Sequence, residues 1–152
     1  MRRSAARLAF LLAGLLLMLA GGAGPTWATD DRDKVRDLLD VGRVHLGEKN
    51  FSAAHRCLSD AFALEPDNPE VNFHLGLAAA GRGDLENAVM AFDRVVIAAP
   101  DATQARIEMG KALHRLGAVA SAREVFAEAL AAPDLPEETR RNLREFMGEG
   151  QP

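Results

Sequence analysis

The residues able to do chemistry are few and scattered. The histidines are His45, His55, His74 and His114, and the only cysteine is Cys57. Two ligands reach one metal from a helix at i, i+4 spacing, and no histidine pair has it. His55 and Cys57 stand two apart, so on a helix they point to different faces. No metal and no cofactor are therefore expected. A single cysteine cannot close an intramolecular disulfide, so stability must come from packing. Cys57 is either a small, partly buried filler or a reactive or intermolecularly paired thiol. Nucleophilic catalysis finds no support: there is no Gly-x-Ser-x-Gly elbow and no Gly-rich phosphate loop. Ser52, Ser59 and Ser121 fall on helices or turns at surface-like positions, and Gly81-Arg82-Gly83-Asp84 falls at a bend between helices. The chain is expected not to be an enzyme.

Elements that would position these residues repeat at a fixed interval. Gly42, Gly76 and Gly110 recur every 34 residues, each after an apolar residue, and Ala54, Ala88 and Ala122 recur at the same interval. Leu58, Phe92 and Phe126 do likewise, as do Phe51, Leu85 and Val119, then Ala61, Val95 and Ala129. Pro66 and Pro100 close the first two units. A period of this length marks a solenoid of supersecondary units, none of which can bury its apolar face alone. The glycines are expected where the two helices of a hairpin cross, with Ala54 and its equivalents facing them and the larger apolar residues filling the space between hairpins. Lys49-Asn50, Gly83-Asp84 and Gly117-Ala118 are the expected turns, Gly83 and Gly117 being suited to left-handed geometry. Asp67-x-x-Glu70, Asp101-x-x-Gln104 and Asp134-x-x-Glu137 predict capping boxes at three helix starts. Leu38 gives way to Asn72 and Arg106 at its slot, and the position near the end of the first helix holds His45, Ala79 or Leu113, so light packing is expected there.

Several slots matching in register three times over resemble the tetratricopeptide repeat family. The resemblance spans about 33–133, with units near 35–68, 69–102 and 103–134. It implies an all-α, right-handed superhelical solenoid of three hairpins. A further helix over 135–148 would cap the last hairpin, starting with Pro136 in its first turn and showing an apolar face of Leu143, Phe146 and Met147. In the family, the first helix of each hairpin lines a concave groove for a peptide or a partner's helix. Carried over by register, the lining includes Arg36, Leu39, Asp40, Arg43 and Leu46 from unit one. Unit two supplies Phe73, His74, Leu77 and Ala80, and unit three supplies Ile107, Glu108, Lys111, His114 and Arg115. Phe73, Leu77 and Ile107 would form an apolar floor. Arg43, Lys111 and Arg115 would form a partial basic rim suited to an acidic or C-terminal segment with apolar anchors. The polar set with which some members clamp a C-terminal carboxylate is missing, because Leu39, Phe73 and Ile107 occupy its slots.

The N-terminus has a different character. Arg2, Arg3 and Arg7 precede an uncharged run from Leu8 to Ala20, and small residues follow to Ala28. That is the pattern of a secretory signal peptide over 1–28, with the mature chain starting near Thr29. The run of about 13 residues is shorter than the roughly 20 of a membrane-spanning helix, with an uncleaved anchor as the alternative. An exported, periplasmic protein with no stable membrane insertion after cleavage is expected. The whole chain has 18 basic and 22 acidic residues. Without the three leading arginines the balance is near −7, which disfavours nucleic acid as a partner. A protein or peptide partner is expected, with self-association the alternative. The segment from Ala127 to Met147 also resembles the end of the periplasmic repeat domain in the surface lipoprotein assembly modifier family, which would place the protein near outer-membrane export machinery.

Overall fold

A computed structural model describes residues 26–148, and those residues form seven α-helices and no strand. They are α1 (Thr26–Gly47), α2 (Phe51–Leu64), α3 (Pro69–Arg82), α4 (Leu85–Ala98), α5 (Thr103–Arg115), α6 (Val119–Leu130) and α7 (Glu137–Met147). The expected signal segment lies outside the described residues except for Thr26–Ala28, which begin α1. A compact unit starts at Lys34. Within it, α1 packs on α2 through Val35, Leu39 and Gly42 against Leu58, helices pair as hairpins α3–α4 and α5–α6, and α7 rests on α6.

Local chemistry fixes the bends. Lys49, Gly83 and Gly117 stand 34 apart, and each is left-handed, with φ of 57°, 84° and 82°. Glycine takes that conformation without penalty, whereas Lys49 carries a Cβ into it. Asn50 caps α2 by accepting from the Ala53 amide at 3.2 Å. Asn68 caps α3 by accepting from the amides of Glu70 and Val71 at 3.0 and 3.2 Å.

The expected aspartate capping boxes do not form. Pro69 is a preorganised first helical residue, so the cap of α3 is Asn68 and Asp67 lies one residue too early. The caps of α5 and α7 are Ala102 and Pro136, neither with a side-chain bond. Pro136 is thus the cap rather than a first-turn residue.

Between the helices of each hairpin, a glycine meets a large side chain. A Cβ on Gly42 would lie 2.7 Å from Leu58 Cγ, and one on Gly76 would lie 2.7 Å from Phe92 Cε1. The Gly110 position opens onto the Phe126 ring in the same way. This corrects the expected division of labour, since Leu58, Phe92 and Phe126 fill the space within hairpins opposite the glycines. Ala54, Ala88 and Ala122 are buried beside them. The core falls into three clusters along the stack, around Leu58 and Val71, around Phe92 and Ala112, and around Phe126 and Leu143.

The slot expected to be lightly packed is instead filled by polar groups. Asn72 is buried, and its amide nitrogen donates to the carbonyls of Pro66 at 2.7 Å and Asn68 at 2.9 Å. Arg106 Nε reaches Glu128 Oε2 at 3.3 Å. Both side chains replace a leucine's bulk with ties to a neighbouring loop or helix. The Pro66 carbonyl gains its partner in this way, whereas the Asn68 carbonyl also accepts from the Asn72 backbone amide at 3.0 Å.

Candidate functional site

The first helices of the hairpins form the inner layer. The backbones of α3 and α5 approach each other directly, whereas those of α2, α4 and α6 do not and meet only through side chains, as where Arg94 of α4 lies over the Phe62 ring of α2. The stack therefore closes up on the side of the first helices and opens on the other, which makes α1, α3, α5 and α7 the lining of a concave face.

At its C-terminal end this face opens into a cleft of about 730 Å³ between α5 and α7. Gln104, Ile107, Lys111 and His114 recur at three- and four-residue steps, so one face of α5 supplies one wall. Leu143 and Phe146 of α7 supply the other, with Thr139, Asn142 and Glu145 above them. Ile107 and Leu143 are buried at the base. Phe146, expected on the apolar face of the cap with Leu143 and Met147, departs from them by remaining 42% exposed. Its ring lies 5.5 Å from His114 edge-on and 5.6 Å from Phe126, so an aromatic surface is held at the cleft mouth.

Arg140 holds that wall in place. It donates from Nη1 to the Leu130 carbonyl at 2.8 Å and from Nη2 to Ala132 at 3.2 Å and Leu135 at 3.5 Å. Its Nε also lies 3.8 Å from Glu137. The end of α6 has no glycine cap, and one guanidinium satisfies its open carbonyls while docking α7. Arg140 is not among the residues that the repeat register singles out. An arginine four positions after Pro136, facing an uncapped helix end, is the available signal.

The other groove residues fall as follows. Phe73 and Leu77 are half-buried against the Phe92 cluster, with Phe73 and Phe92 centroids 5.9 Å apart. His74 Nδ1 lies 2.8 Å from the Glu70 carbonyl, and its ring edge meets Phe73 at 5.5 Å. Leu39 and Ile107 are core residues, so Ile107 is the base of the cleft and not an exposed floor.

The expected basic rim is largely spent within the protein. Arg43 pairs with Glu70 at 3.3 Å, and Lys111 pairs with Glu108 at 2.9 Å. Arg115 donates to the Ala80 carbonyl at 3.0 Å, clasping the end of α3 to α5. Each cation is matched across one turn or between neighbouring hairpins, a pattern invisible to residue type alone.

Elsewhere, Ser59 Oγ lies 3.3 Å from His55 Nδ1 within α2. Burial lowers the His55 pKa, Arg82 lowers it further, and Asp84 partly opposes them. Asp84 itself accepts from Asn87 at 2.8 Å. Neither the α5–α7 cleft nor the second cavity, between the α4–α5 and α6–α7 loops, borders this pair. Among the described residues no cluster of three metal-ligating side chains occurs.

The profile of the family described as Tetratricopeptide repeat matches residues 39–103 and 88–136, more than half of the chain. The chain belongs to the tetratricopeptide repeat family. Solved structures agree on the right-handed solenoid. The type III secretion translocator chaperone SycD of Yersinia enterocolitica superposes with a TM-score of 0.73 at 16% identity, covering 84% of this chain and 92% of that one. SycD in complex with a peptide of the translocator YopD gives 0.70 at 14%, covering 76% and 91%. The second TPR domain of human RPAP3, in complex with the HSP70 peptide SGPTIEEVD, gives 0.70 at 16%, covering 76% and 97%. At these identities the likeness shows the fold. No curated protein matches the chain significantly.

Proposed function

We propose that this tetratricopeptide repeat protein is an exported, periplasmic interaction module, without catalytic activity, that holds an apolar-anchored peptide or partner segment in the concave cleft between α5 and α7. The observation that carries the reading is the cleft itself, with a buried apolar base at Ile107 and Leu143 and an exposed aromatic edge at Phe146. Binding sites of this kind are concave and largely apolar, with a few polar groups that set orientation, and Gln104, Asn142 and Thr139 are placed for that. Peptide complexes of similar folds, SycD with a YopD peptide and RPAP3 with an HSP70 peptide, support the class of ligand. Export is supported by Arg2, Arg3 and Arg7 ahead of the apolar run Leu8–Ala20. A role in envelope assembly or export follows from that location and from the resemblance of Ala127–Met147 to the assembly-modifier repeat domain.

The test places a photo-crosslinking amino acid at Gln104 in the cleft or at Glu124 on the opposite face, in cells. A defined partner captured from Gln104, absent from Glu124 and lost with Phe146→Ala, is the expected result. Equal capture of one and the same partner, other than a second copy of this chain, from both positions would sink the cleft assignment. N-terminal sequencing of the fractionated protein tests export, a start near Thr29 in the periplasmic fraction being expected and cytoplasmic retention of Met1 being the contrary outcome.

A further inference from the structure

The outer layer carries a second surface that the cleft does not use. On α4, Ile97 is 72% exposed and Met90 52%. Seven residues apart on one helix, they share a face two turns long. Asp93 and Arg94 lie between them at the third and fourth positions after Met90, so they flank the apolar stripe on opposite sides. The Arg94 guanidinium lies 5.2 Å from the centroid of the Phe62 ring on α2. That contact makes the Arg94 flank the α2 side, and Asp93 therefore falls on the α6 side. The 34-residue register extends the pattern to the neighbouring helices. Exposed Ala63 and Ala131 flank Ile97, and exposed Arg56 and Glu124 flank Met90.

We propose that this convex face pairs with the same face of a second copy of the chain, about a two-fold axis parallel to α4. Such an axis sets Met90 and Ile97 against their own counterparts and exchanges the two flanks. Arg94 on the α2 side of one copy then meets Asp93 on the α6 side of the other, twice over. In the outer row Arg56 of one copy meets Glu124 of the other, while Asp60 stands opposite Glu128, whose charge is matched by Arg106 of its own chain. A two-fold axis crossing α4 would instead oppose Asp93 to Asp93 and Arg94 to Arg94, and like charges facing each other disfavour it. Charge order thus selects the parallel arrangement among isologous ones. Ala63 and Ala131 are small enough to let the two α4 helices approach. Back-to-back pairing leaves both concave clefts open on opposite sides of the dimer, so a ligand presented in several copies would be held with avidity.

The test is sedimentation velocity of the full chain across a concentration series, with circular dichroism confirming equal helix content in every variant. The parent is expected to dimerise reversibly, and Ile97→Asp to weaken dimerisation roughly 30-fold or more, as for a charge placed at an interface centre. Asp93→Arg and Arg94→Asp alone should each weaken it about tenfold, and the double exchange should return it close to the parent. Val44→Asp, on the exposed face of α1, should change nothing. A parent that stays monomeric overturns the proposal. So does association indifferent to Ile97→Asp, a double exchange no better than either single one, or dissociation by Val44→Asp.

Discussion

Replacing Gly76 by alanine places a methyl group 2.7 Å from Cε1 of Phe92 and 2.9 Å from both Cδ1 and Cζ. Carbon atoms pack best at about 3.5–4.0 Å, so the overlap is roughly 0.8 Å or more. Phe92 has no exposed surface and is enclosed by Ala79, Ala88 and Ala112, which leaves the ring little room to withdraw. Overpacking of this kind costs about 1–3 kcal/mol, and the overlap with a rigid ring places it in the upper half of that range. Alanine's higher helix propensity returns about 1 kcal/mol. The net expectation is a loss of about 1–2 kcal/mol. At Gly42 the obstacle is the branched end of Leu58, which can change rotamer, so Gly42→Ala should cost less. Gly47 has no atom near its virtual Cβ within 4 Å, and Gly47→Ala should be neutral or slightly stabilising. Urea unfolding followed at 222 nm gives all three values. Adding Phe92→Leu to Gly76→Ala should recover about 1 kcal/mol of the predicted sum, because the smaller side chain removes the clash. A Gly76→Ala protein as stable as the parent, or additivity of the two substitutions, would refute the clash with Phe92.

Other consequences follow from the same contacts. Lys49→Gly should stabilise by about 0.5–1 kcal/mol, since relief of left-handed strain exceeds the added unfolded-state entropy, and thermal melting would show it as a raised midpoint. Asn72→Ala strips the Pro66 carbonyl of its amide partner and leaves a small void but also removes the unpartnered buried Oδ1, so it should lose about 1–2 kcal/mol in urea unfolding. His55 is held below its ordinary value of 6.5 by burial and by Arg82. Its neutral form is therefore favoured on folding, and that contribution is full above 6.5 and lost as pH falls through the folded-state pKa. Unfolding free energy should fall below pH 6.5 more steeply in the parent than in His55→Gln. Arg140→Ala removes three carbonyl contacts and should free α7, read as faster amide exchange across Glu137–Met147 with α3 and α4 unchanged.

The repeat made most of this fold legible before any coordinates. Three glycines, three alanines and three large apolar residues in register placed every hairpin, because a solenoid must satisfy the same packing problem at each step. What escaped depends on partners distant in the chain or on competition between neighbours. The aspartate caps failed because Pro69 set the start of α3 one residue later than Asp67 required. Lys49 occupies a glycine's conformation, and nothing in its side chain announces that. Asn72 looked like a weakened leucine slot, yet its amide ties down the loop after α2. Arg115 and Arg140 were surface charges by type. Their carbonyl partners lie 35 and 10 residues away, so only the packed hairpins reveal them.

The engaged cations change what the cleft selects. An acidic ligand at Lys111 must displace Glu108, and one at Arg43 must displace Glu70. The exposed Arg43–Glu70 pair is worth at most about 1 kcal/mol, the part-buried Lys111–Glu108 pair resists displacement more, and breaking either leaves a carboxylate beside the incoming one. Little net attraction for acid remains, so affinity has to come from apolar burial against Ile107, Leu143 and Phe146. Binding of that kind is weakly dependent on salt, in contrast to recognition by a free basic rim. Position then matters more than charge. Phe146 is presented by a helix that Leu143 and Met147 bury against the Phe126 cluster and that Arg140 ties to the end of α6, so the far wall of the cleft depends on one terminal helix packed on one side only. Ligand affinity and α7 docking are therefore coupled, since whatever binds the assembled cleft also stabilises the helix that completes it.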